Sequence, residues 1–98
     1  MAGELYRYVF NADVPAEEIE ASLLLALFGA ESLHGEAQVR LDAAHTFDAK
    51  TRTCVIDAET AVGKDLSRLF VGFIGREFGE DSFCVERMNH TAQAATVP

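Results

Sequence analysis

Proline, cysteine and positive charge are all scarce in this chain, and none of its hydrophobic runs is long. Two prolines and seven glycines in 98 residues exclude collagen-like and linker character. Two cysteines cannot build a disulfide framework, there is no CxxC, and so small a number fits a reducing compartment. Eight basic residues against sixteen acidic ones leave a net charge of −8. A field of that sign repels phosphate backbones and anionic membranes, so neither nucleic acid nor membrane is an expected partner. The longest apolar run, 23–28, falls far short of the ~18–20 residues that cross a bilayer. The opening MAGELYRY lacks a basic segment followed by an apolar one, so no secretory signal is read and the cytoplasm is the expected location.

What is present is globular: 49% hydrophobic and 24% charged residues. The length suits one domain, expected over 1–88, followed by a flexible tail over 89–98 whose sequence has no periodic pattern.

Six elements are legible. Residues 4–12 are rich in Tyr, Phe and Val and apolar on both parities, the mark of a central strand. Pro15 suits the first turn of a helix over 15–33, with Glu17 and Glu18 favoured at its positive end and Gly35 as a stop. Ile19, Leu23, Ala26, Leu27 and Ala30 share one arc of that helix. Residues 37–44 alternate, Val39 and Leu41 one way and Gln38, Arg40 and Asp42 the other, which predicts a half-buried strand. A turn over Asp48–Thr51 then leads to a strand over 52–58, pairing Phe47 with Arg52, His45 with Cys54 and Ala43 with Ile56. A second helix over 61–78 is capped by Thr60, ends at Gly79 and gathers Val62, Leu66, Leu69, Phe70 and Phe73 on one arc. Gly72 and Gly75 inside it predict close packing against another backbone. The last strand is expected over 83–88.

Strand, helix, strand, strand, helix, strand is the ferredoxin-like βαββαβ order. Right-handed crossovers then give an α+β plait: an antiparallel four-stranded sheet of order 4-1-3-2 with two helices on one face.

Residues Tyr8–Ala12 followed by Asp13–Ile19 resemble the first strand and helix start of RNA-recognition motifs, which share this topology. That resemblance implies bases stacked on aromatic residues of strands 1 and 3 and a basic surface. Here the third strand, Arg52–Asp57, has no aromatic residue, and the face that would stack bases carries Asp42, Asp57 and Glu86.

Two surfaces hold more apolar residues than the fold requires. Leu24, Leu25 and Phe28 lie off the core arc of the first helix, and Val71, Ile74 and Phe78 off that of the second. On the open sheet face, parity places Val9, Val55 and Met88 among Leu5, Arg7, Gln38, Arg40, Asp42, Asp57, Cys84 and Glu86. The candidate interface residues are therefore Leu24, Leu25, Phe28, Val9, Val55 and Met88.

Chemistry is harder to find. Cys54 and Cys84 fall on strands that a third strand separates, too far apart for a disulfide. His34, His45 and His90 are scattered, and the loose group Asp42, His45 and Asp48 matches no metal-ligand spacing. No phosphate loop, HExxH or Ser-His-Asp order is present. No cofactor or metal is expected, and no catalytic residue stands out. The expected function is a small interaction module, a homodimer or a subunit of a larger complex. The alternatives are a regulatory domain binding a small molecule at a subunit interface, and an enzyme assembled only in an oligomer.

Overall fold

The structure is a computed structural model that describes residues 4–89. Its order is β1 (Glu4–Phe10), α1 (Ala16–His34), α2 (Glu36–Asp42), β2 (His45–Asp48), β3 (Thr53–Asp57), α3 (Ala61–Phe78), a 3-10 turn (Glu80–Ser82) and β4 (Phe83–Asn89). The strands form one antiparallel sheet in the order β2-β3-β1-β4. This is the expected ferredoxin-like plait, with β1 central and the main helices α1 and α3 packed together. The strand ending at Asn89 takes the first residue of the expected tail; 90–98, His90 included, lie outside the described residues.

Register fixes which side chains meet the helices. Tyr8 sits opposite Cys54 and Val85, Tyr6 opposite Ile56 and Arg87, and Phe10 opposite Phe83. Directly opposed residues share a face, so this is the helix side of the sheet. Its buried members Tyr8, Phe10, Cys54 and Ile56 pack with Ile19, Leu23 and Ala26 of α1 and Leu66, Phe70 and Ile74 of α3. Each large apolar side chain buried there contributes about 1.5–3 kcal/mol. Tyr8 also shares a hydroxyl–hydroxyl hydrogen bond with Ser67, so its polar tip is satisfied inside the core.

Helix boundaries follow the expected punctuation with one change. Pro15 is the N-cap of α1, extended at φ −65° and ψ 135°, and Ala16 is the first helical residue. The Thr60 hydroxyl accepts from the Gly63 N–H at 3.0 Å, capping α3. Gly35 and Gly79 end α1 and α3 at φ 88° and 90°, a conformation that side chains with a Cβ avoid. Ile74 is buried with Val62, Leu66 and Phe70 of α3, while Phe73 is only partly buried; Val71 and Phe78 also pack against the core in part. The second helix's apolar surplus is thus largely absorbed by the fold.

The strand expected over 37–44 is instead the helix Glu36–Asp42, followed by extended Ala43. Alternation of Val39 and Leu41 suggested period two, but Glu36–Asp42 is built of good helix formers, and two pairs one turn apart support it. Arg40 donates to Glu36 at 3.1 Å, and Gln38 donates to Asp42 at 2.6 Å. Val39 alone is buried, against Ala30 and Val62, while Leu41 is 79% exposed. Gln38, Arg40 and Asp42 consequently leave the open sheet face.

The second strand is the short His45–Asp48, and its pairing is displaced by two residues from the expected register. Phe47 faces Cys54 and His45 faces Ile56. A shift of two preserves parity, so Cys54 and Ile56 still point at the helices. The turn closes at Asp48 and Thr53 instead of Phe47 and Arg52, and Arg52 takes the left-handed φ of 51°. Two hydrogen bonds hold Arg52 there: its Nε donates to the Val14 carbonyl at 2.8 Å, and its carbonyl accepts from the Phe10 N–H at 3.0 Å.

Close backbone packing is not at Gly72 or Gly75, where an added Cβ would meet nothing within 4 Å. It is at Gly63, against the Asp57 and Ala58 backbone; at Gly29 an added Cβ would meet only the Leu69 side chain, 2.9 Å from its Cδ1. Gly72→Ala and Gly75→Ala are each expected to stabilise the chain by about 1 kcal/mol, because Ala is the better helix former and finds room. Urea unfolding checks this: a fall in stability for Gly75→Ala contradicts open space around that position.

Candidate functional site

Leu24, Leu25 and Phe28 project from α1 into solvent, 51%, 56% and 59% exposed. The residues α1 buries are Ile19, Ser22, Leu23, Ala26 and Ala30, so this stripe lies on the opposite side of the helix. Ala21 and Ser32 extend it at either end, and both are exposed. Ala21, Leu25, Phe28 and Ser32 follow a 4-3-4 spacing, that of a coiled-coil contact line. Leu24 lies beside it, over a groove of about 300 Å³ between α1 and β2 lined also by Leu27, His45 and Phe47. Partial desolvation there pushes the His45 imidazole below its ordinary pKa. Glu17, Glu18 and Glu20, all exposed, rim the N-terminal half of the stripe.

The open sheet face is organised differently. Val55, Arg7 and Glu86 form its middle row, between Asp57, Leu5 and Met88 on one side and Thr53, Val9 and Cys84 on the other. Arg7 Nε donates to Glu86 at 2.9 Å, so an ion pair lies across the centre. Val9, Val55 and Met88 are half-buried, and Leu5 is buried. The face therefore carries charge at its centre, on β1 and β4, with Val55 of β3 beside it and diagonal to both Leu5 and Val9. Of the expected interface residues, the structure brings Leu24, Leu25 and Phe28 together on α1 and sets Val9, Val55 and Met88 around an ion pair on the sheet, Val9 diagonal to Val55 and Met88 opposite Leu5.

A further surface was not anticipated. Between α3 and the edge strand β4 runs a groove of about 590 Å³. Tyr6, Tyr8 and Val85 form the sheet side, with Val85 46% exposed. The α3 side is Lys64, Ser67, Arg68, Val71 and Gly72. Its sequence signal is the i, i+4, i+8 series Lys64, Arg68, Gly72, which sets two cations and a glycine on one helical line.

Among the described residues, no group of three or more His, Cys, Asp or Glu side chains converges as metal ligands would. His34 instead lies 2.8 Å from Asp65, tying the end of α1 to α3. Both cysteines are free. Cys54 points at the helices, where burial pushes its thiol up to about 12; Cys84 is exposed on the open face. With β1 between their strands and their side chains on opposite faces, they are not a redox pair. No described helix is long and apolar enough to cross a membrane.

The geometry defines a class: a ferredoxin-like α+β plait with one apolar helix stripe and one edge groove open to solvent. No protein-family model matches the chain, and no curated protein matches it either.

Proposed function

We propose that this chain is a small interaction module that pairs with a second copy of itself through the outward stripe of α1. One observation carries the reading: Leu24, Leu25 and Phe28 are more than half exposed together, opposite the core. Contiguous apolar exposure of this kind marks a contact surface. The stripe is also self-complementary. In an antiparallel copy, Leu25 meets Phe28 and Ala21 meets Ser32, large against large and small against small, on the contact-line spacing that suits helix pairing. The open sheet, with the Arg7–Glu86 ion pair at its centre and its valines already half-buried, is the weaker candidate. Low cysteine content supports a cytoplasmic setting.

The expected result is a mass that rises toward a dimer in sedimentation experiments from about 10 µM to about 1 mM, since so short a contact line gives modest affinity. Leu25→Glu with Phe28→Glu should hold the chain monomeric across that range with unchanged far-UV circular dichroism, because both side chains are solvent-facing. A wild-type chain that stays monomeric at the highest concentration overturns the proposal.

A further inference from the structure

We infer that the groove between α3 and β4 is a binding site for a small amphiphilic anion, an acidic group on an apolar body of a few rings or an acyl chain. It lies on a different face from the α1 stripe and does not depend on self-association.

Size and lining come first. About 590 Å³ is in the range of small-molecule sites. The floor is aromatic and aliphatic, from Tyr6 and Val85, and Val71 continues it on the helix. Such a lining takes up an apolar body. The polar element of the floor, Tyr8 with Ser67, is already satisfied by its own hydrogen bond.

Charge comes second. In a chain of net charge −8, with only eight basic residues, two of them stand one helical turn apart on this wall. Lys64 has no carboxylate within ion-pair distance among the described residues. Arg68 is 79% exposed and only 3.6 Å from Asp65, which His34 also holds. The other acid nearby, Glu4, is paired with Arg87, whose guanidinium holds its carboxyl below the ordinary range, with a smaller contribution from the Lys64 charge. The two cations therefore stand together on the groove wall, each only weakly engaged by the chain's own acids: Arg68 by Asp65 and Lys64 through the more distant charge of Glu4. An acidic headgroup satisfies both.

Gly72 is the third observation. It sits mid-helix, where glycine is unfavourable, yet nothing in the chain needs its missing side chain: an added Cβ has open space around it. That space is the groove. An occupant lying close along the α3 backbone is what the absent side chain makes room for.

The test is a fluorescence titration of the full chain with 8-anilinonaphthalene-1-sulfonate, and with N-phenyl-1-naphthylamine, which has the same rings and no sulfonate. Expected is saturable one-to-one binding of the sulfonate dye, tighter than its neutral analogue despite the acidic protein. Lys64→Glu with Arg68→Glu should weaken the sulfonate dye by about tenfold or more and leave the neutral one within about twofold. Arg40→Glu with Lys50→Glu, the same change in net charge elsewhere, should leave both unchanged. Gly72→Leu should weaken both dyes by about tenfold, whereas Gly75→Leu, off the groove wall, should not. Three results overturn the inference: sulfonate binding that ignores the Lys64 and Arg68 reversal, binding lost instead in Leu25→Glu with Phe28→Glu, or a wild-type dimer that Val85→Lys dissociates, which assigns the groove to a second copy.

Discussion

Gly63→Ala is expected to cost more than about 3 kcal/mol, although alanine is the better helix former by about 1 kcal/mol. A Cβ at this position would fall far inside van der Waals contact distance of the Asp57 carbonyl oxygen, 3.0 Å from its carbonyl carbon and 3.2 Å from Ala58 Cα. All three are backbone atoms. The segment cannot retreat, because the Asp57 N–H donates to Ala44 at 2.9 Å and the Ala58 N–H donates to Glu4 at 2.8 Å. The first turn of α3 would have to lift instead. That motion would disturb the Thr60 cap, which binds the Gly63 N–H itself, and pull the buried Val62 and Leu66 from the core. For a domain of this size each 1 kcal/mol moves Tm by about 4–8 °C, so a fall of roughly 12 °C or more is expected in a thermal melt. A Gly63→Ala chain within about 1 kcal/mol of wild type would falsify the close approach of α3 to the end of β3.

Phe70→Ala is the second large loss, about 4–5 kcal/mol. Phe70 is 1% exposed and meets two rings of β1 edge-on, Tyr8 at 5.4 Å and 74° and Phe10 at 5.9 Å and 76°. Truncation removes the transfer free energy of the ring, leaves a cavity between α3 and the central strand, and ends both edge-to-face contacts, each worth about 0.5–1.5 kcal/mol. Total stability for a domain of this size is about 5–10 kcal/mol, so a substantial unfolded fraction in mild urea is expected. Phe70→Leu keeps most of the volume and should cost roughly half as much. Equilibrium urea unfolding of the three chains gives the order; equal midpoints for Phe70→Ala and wild type would remove Phe70 from the centre of the core.

The elements that sequence pattern makes legible are those that local chemistry and tertiary packing specify alike. β1 is apolar on both parities because β3 and β4 flank it and α3 covers it; α3 runs between a threonine cap and a glycine stop. Residues 36–48 are where the signals conflict. Val39 and Leu41 alternate like a strand, but helix propensity and the pairs Glu36–Arg40 and Gln38–Asp42 decide for α2. The true strand, His45–Asp48, has only Phe47 as a large apolar residue, too weak a pattern to stand out beside its neighbour. On the surface, the α1 stripe is readable as apolar residues beyond what one amphipathic arc needs. The α3 groove is not, because half of it comes from β1 and β4, and only the sheet order brings Tyr6 and Val85 to the Lys64 line.

The two rims of the sheet are unequal: β4 runs seven residues and β2 four. Ribbon-like polymers grow when a molecule offers a long free strand on each side, so that every addition recreates the site it used. Here only one rim is long. Two molecules that joined along it would turn outward only the short β2 borders of the sheet, so strand-to-strand addition would halt at the pair. The stretch that folds as α2 instead of lengthening β2 thereby leaves the sheet one border too short to template a further strand.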